Sequence, residues 1–131
     1  MTDVDSHSLS AETELRTLCS SLHLDAPVVR RFIGDYLRLL QFRLDRIDRD
    51  LTNGDIASAV VGLLSLGTSS SMLGESAVAE AAEQLRLQAA AGDLAAVAEG
   101  RSTLVAQVRT AEVRLVQIEA AGGCPSRVVR P

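Results

Sequence analysis

The sequence predicts an all-α protein: an up-down antiparallel four-helix bundle with a short additional N-terminal helix. Three observations carry that prediction. Apolar residues recur at alternating three- and four-residue steps through most of the chain, the period of one helical face. A glycine followed at once by aspartate occurs at Gly54-Asp55 and again at Gly92-Asp93, where a left-handed helix terminus meets the N-cap of the next helix. The core stock is aliphatic: 47% of residues are hydrophobic, yet Trp is absent, Phe occurs twice and Tyr once. Leu, Val, Ile and Ala in that balance favour close helix packing over a sheet.

Residues 1–9 are polar and acidic and read as a flexible N-terminal segment. Ser10 is placed to cap a first helix from Ala11 to about His23, with Glu12 and Glu14 in a first turn where carboxylates complement the helix dipole. Leu15, Leu18 and Leu22 form its apolar stripe. Asp25 and Pro27 open a long second helix, since proline is tolerated in a first turn. Val29, Ile33, Tyr36, Leu40, Leu44, Ile47 and Leu51 line one face of it. Gly54 ends that helix and Asp55 caps the third, which runs from Ile56 to about Leu73 and stops at Gly74. The fourth carries Val78, Ala82, Leu85 and Ala89. The fifth carries Leu94, Val97, Leu104, Val108, Ala111, Leu115 and Ile118, a near-heptad seam interrupted by Arg101. That arginine either snorkels outward or pairs with a carboxylate. Gly122 and Gly123 read as its end, leaving residues 122–131 as a flexible tail and 10–121 as the bundle. Links of a few residues between long helices make sequential neighbours antiparallel.

At 131 residues the chain is the size of one domain. All thirteen basic residues are arginine, the net charge is −4, and no basic block exists, which argues against nucleic-acid binding. No apolar run is long enough to span a bilayer, and the first ten residues lack the basic and apolar regions of a signal peptide. Cys19 and Cys124 are too few and too far apart for a disulfide framework or a zinc site. The expectation is a cytoplasmic protein with no metal and no cofactor. Arg30, Arg31, Arg38, Arg43, Arg46 and Arg49 alternate with Asp35, Asp45, Asp48 and Asp50 as a solvated face, Asp45 and Arg49 being spaced for an i,i+4 pair.

From Phe32 to about Ile118 the order of signals resembles the histidine-containing phosphotransfer (HPt) domain of bacterial phosphorelays. The likeness rests on Phe32-Ile33-Gly34-Asp35-Tyr36, on Gly54-Asp55-Ile56, on Ser69-Ser70-Ser71-Met72-Leu73-Gly74, and on the long last helices split by Gly92-Asp93. The family's third-helix signature is His-x-Leu-Lys-Gly-Ser, followed shortly by Leu-Gly. Here the run is Leu64-Ser65-Leu66-Gly67-Thr68-Ser69. Counting from either flank places the family's histidine at Leu64, its lysine at Gly67 and its glycine at Thr68.

Phosphotransfer needs a nitrogen lone pair to accept the phosphoryl group, and leucine has none. The lysine supplies charge to the transferring group, and Gly67 supplies none. The glycine leaves clearance for a receiver, and Thr68 fills that space. The resemblance therefore implies a degenerate, non-catalytic member that binds a response-regulator receiver domain or a histidine kinase without carrying phosphate. Val61, Leu64, Thr68 and Ser71 are its expected partner-binding residues, outward on the third helix, with Val61, Leu64 and Thr68 forming a small apolar patch. A rival reading is a helical dimerisation or scaffolding module, active as a homodimer. The serine run lacks a neighbouring base and reads as packing. His7 and His23 are the only histidines, and His23, at the end of the first helix, is the one displaced acceptor worth testing.

Overall fold

The computed structural model describes the backbone of residues 3–129 and the side chains of residues 10–120. Among them are five helices and no strand, with about 90% of the chain helical. They are α1 (Asp3–Leu22), α2 (Ala26–Thr52), α3 (Ile56–Met72), α4 (Ser76–Ala91) and α5 (Leu94–Val129).

The inner boundaries follow the expected chemistry. Pro27 lies in the first turn of α2, and the Asp25 carbonyl accepts that helix's opening bond from the Val29 N–H at 3.0 Å. Gly54 and Gly92 adopt φ of +76° and +74°, the left-handed region that glycine enters without a Cβ penalty. The aspartate after each accepts from a backbone N–H one turn on, Asp55 from Ser58 at 3.2 Å and Asp93 from Ala96 at 3.1 Å.

The outer boundaries differ from the sequence expectation. α1 begins at Asp3, so Ser10 lies inside the helix and donates to Glu14 Oε2 at 3.5 Å instead of capping. Glu12 and Glu14 consequently sit in mid-helix, and no glycine or proline interrupts residues 3–10 to force the later start. α5 runs past Gly122 and Gly123. Glycine lowers helix propensity by about 1 kcal/mol without barring helical dihedrals, so the pair does not oblige a stop. The side chains of His7 and Cys124 lie outside the described residues, while Cys19 is a free, half-buried thiol.

The chain divides into two compact units, residues 1–38 with 112–131, and residues 39–111. In the first, Ala11, Leu15, Leu18, Val29, Ile33, Tyr36, Leu115 and Ile118 are buried. There Arg114 Nε of α5 pairs with Glu14 Oε1 of α1 at 2.6 Å. In the second unit, Leu40, Leu44 and Ile47 of α2 are buried, as are Leu63 and Leu66 of α3, Val78, Ala82, Leu85 and Ala89 of α4, and Val97, Leu104, Val108 and Ala111 of α5. Each fully buried Leu, Ile or Val contributes about 1.5–3 kcal/mol relative to exposure.

Leu94 departs from the expected seam. It is 83% exposed, because it is the first residue of α5, beyond the end of the core. The expected Asp45–Arg49 pair is not among the ion pairs of the described residues, and Asp45 Oδ1 accepts from Gln41 Nε2 at 2.8 Å. No helix among the described residues is long and apolar enough to cross a membrane.

Candidate functional site

α3 contains no charged residue, so its two faces are set by the steps between its larger aliphatic side chains. Ala59, Leu63, Leu66 and Ser70 step by four, three and four, and all are buried. The helical period then turns Val61, Leu64, Ser65, Thr68, Ser71 and Met72 outward, and each is exposed. The four residues expected to bind a partner therefore share one ridge, with Val61 66% and Leu64 49% exposed. Around Leu64, the side chains of Leu66, Ser70 and Leu73 are fully enclosed.

Grooves flank the ridge on either side, and Val61 and Leu64 line different ones. Toward α4, a groove of about 460 Å³ is lined by Leu63, Leu64, Gly67, Thr68, Ser71, Met72, Ala79 and Glu83. Toward α2, a groove of about 280 Å³ takes Val61 together with Gly62, Ser65, Leu39, Phe42, Arg43, Arg46, Ile47 and Ser58.

The chemistry beside Leu64 is sparse. The Thr68 hydroxyl donates to the Leu64 carbonyl at 3.0 Å, a local bond that ties it to its own helix. Glu83 is the one ionisable residue lining that groove. Arg86 donates to its two oxygens, from Nε at 2.9 Å and Nη2 at 2.5 Å, and these bonds hold the Glu83 carboxyl below the usual glutamate range. No imidazole, amine or thiol lines the groove. At Gly67 an added Cβ would meet Ala82 Cβ at 3.9 Å and the Ala79 carbonyl oxygen at 4.0 Å, ordinary contacts that leave room for a side chain.

His23 lies elsewhere, exposed in the link between α1 and α2, and lines neither groove. Its φ of +58° is the one left-handed non-glycine conformation among the described residues. No group of three or more His, Cys, Asp or Glu that could hold a metal occurs among them.

Sequence reasoning passed over the α2 side of this surface. Leu39 and Phe42 are 50% and 58% exposed, and they stand beside Arg43 and Arg46. The signal was present: Leu39, Phe42 and Arg46 step by three and four, a second face outside the buried stripe of the same helix. Compared with protein families, with curated proteins and with solved structures, the chain finds no match.

Proposed function

We propose that this chain is a non-catalytic, HPt-like protein of a two-component signalling pathway. It binds a receiver domain or histidine kinase through the outward ridge of α3 and acts by occupancy, without carrying phosphate. The observation that carries this reading is the position of Leu64: exposed at mid-helix, where the phosphotransfer signature needs its histidine, with Leu66, Ser70 and Leu73 buried around it. The architecture goes with it. We take α2 to α5 as an up-down four-helix bundle with α1 added. Contacts within residues 39–111 support this: Arg43 with Ser65, Gly67 beside Ala82, Gly100 beside Leu85, and Arg109 with Gln41. A cytoplasmic location is part of the same proposal.

The test is capture of receiver domains and histidine-kinase domains from the same organism by the purified protein, with Leu64→Asp as the comparison. An exposed leucine contributes little to the core, whereas a charge forced into an apolar contact costs a few kcal/mol on desolvation. Leu64→Asp should therefore lose the partner while keeping the wild-type circular dichroism and melting temperature. Phosphate transferred to the protein from a phosphorylated receiver would overturn the reading, most directly if it vanished in His23→Ala.

The scaffolding alternative draws on one feature, the apolar surface that passes from Leu39 and Phe42 of α2 to Val61 of α3. Capture of no receiver or kinase, together with a stable dimer by analytical ultracentrifugation, would favour it.

A further inference from the structure

We propose that the groove between α2 and α3 is a docking site for an acidic amphipathic helix of a partner polypeptide. The inference stands whether or not the chain belongs to a phosphorelay. Leu39, Phe42, Ile47 and Val61 supply the apolar floor, and Gly62 keeps it open. A Cβ at Gly62 would stand only 3.0 Å from Ile47 Cγ1, so the two helices approach closely there. At about 280 Å³ the space lies below the usual range of roughly 300–1,000 Å³ for small-molecule pockets. Side chains projecting from a third helix laid along α2 and α3, at i, i+3 or i+4, and i+7, match such a groove.

Charge selects the partner. Arg38, Arg86, Arg101 and Arg114 each pair with a carboxylate of this chain. Of the arginines that form no ion pair among the described residues, Arg43 and Arg46 are the two that stand beside the apolar floor. Arg43 Nη2 approaches only the Ser65 hydroxyl, at 3.5 Å, and the Ser58 hydroxyl is already committed to Asp50 at 2.7 Å. Two uncompensated guanidinium groups thus flank exposed leucine, phenylalanine and valine on a protein whose net charge is −4. A second copy docking symmetrically through this face would bring four arginines together, since an isologous interface sets each patch against itself. A helix with carboxylates on either side of its apolar stripe would satisfy both arginines, with bidentate bonds open to each.

The experiment uses fluorescence anisotropy with a labelled helical peptide of about 18 residues, long enough to hold helix. Leucines form its stripe and glutamates flank it, and a matched peptide carries lysine for every glutamate. The glutamate peptide should bind the wild-type protein, more weakly as salt rises, and the lysine peptide should not bind. Arg43→Glu with Arg46→Glu should weaken binding by at least about tenfold, the effect of opposed charges at a desolvated rim. Val61→Asp should do the same. Circular dichroism confirms that each variant is folded. Equal binding of both peptides, no binding of the glutamate peptide, or a wild-type dimer tightened by the two arginine substitutions would each overturn the proposal. Peptide binding that survives in a protein capturing no receiver or kinase would remove the phosphorelay reading and leave this one standing.

Discussion

Arg101 of α5 and Asp48 of α2 form an ion pair at the one step where the apolar seam of α5 is broken by a charge. Of the two destinations the sequence leaves open for this arginine, the structure takes the paired one. Both side chains remain partly exposed, 36% and 58%, so the pair is solvent-screened and worth less than about 1 kcal/mol. Arg101→Leu should therefore leave stability within about 1 kcal/mol of wild type, since an aliphatic stem replaces an aliphatic stem. A double-mutant cycle with Asp48→Asn, read by urea denaturation, should give a coupling that shrinks as salt is added.

Two glycines of α3 should respond in opposite ways. Gly67 has room for a Cβ, so Gly67→Ala should raise stability by up to about 1 kcal/mol through helix propensity alone. Gly62 faces Ile47 at 3.0 Å, and Gly62→Val should lower stability by about 1–3 kcal/mol through overpacking. Chemical denaturation of the two variants decides the matter. If Gly62→Val is neutral, the close approach of α2 and α3 is wrong.

His23 ends α1 in a left-handed conformation, with the Leu24 N–H donating to the Cys19 carbonyl at 3.1 Å. Glycine is the residue this position favours. His23→Gly should raise the melting temperature, by a gain of about 0.5 kcal/mol after the extra chain entropy of glycine is counted. His23→Val should lower it, because a β-branched residue resists positive φ. Thermal unfolding followed by circular dichroism distinguishes the two.

On the proposed HPt-like reading, the frame around Leu64 should accept phosphotransfer chemistry. Leu64→His supplies a nucleophile at a position already exposed, Gly67→Lys adds charge one turn along, and Thr68→Gly restores clearance. Gly67→Lys should gain helix propensity and Thr68→Gly should cost less than about 1 kcal/mol, so the triple variant should fold. It should then take up acid-labile phosphate from a phosphorylated receiver, whereas Leu64→His alone should label weakly at best. A folded triple variant that no receiver or kinase phosphorylates would show that the partner surface has also diverged, and would favour the scaffolding alternative.

The sequence by itself determined the helices, their inner boundaries and most of the core. Helical periodicity and end chemistry are local, and Val29, Ile33, Tyr36, Leu40, Leu44 and Ile47 carry their own burial in their spacing. The resemblance implied an outward Leu64, and the structure leaves it half exposed while Leu63 and Leu66 turn inward on the same helix. The start of α1 was not legible, because Ser10 is as good a helix-interior residue as a cap once Glu14 takes its hydroxyl. Only the tertiary structure decided which carboxylate Arg101 meets and that Val61 and Leu64 fall into different grooves. It alone set Phe42 and two unpaired arginines against Val61. Those outcomes depend on which helix lies beside which, at separations of 15 to 53 residues along the chain, and a pattern that repeats every few residues carries no information at that range.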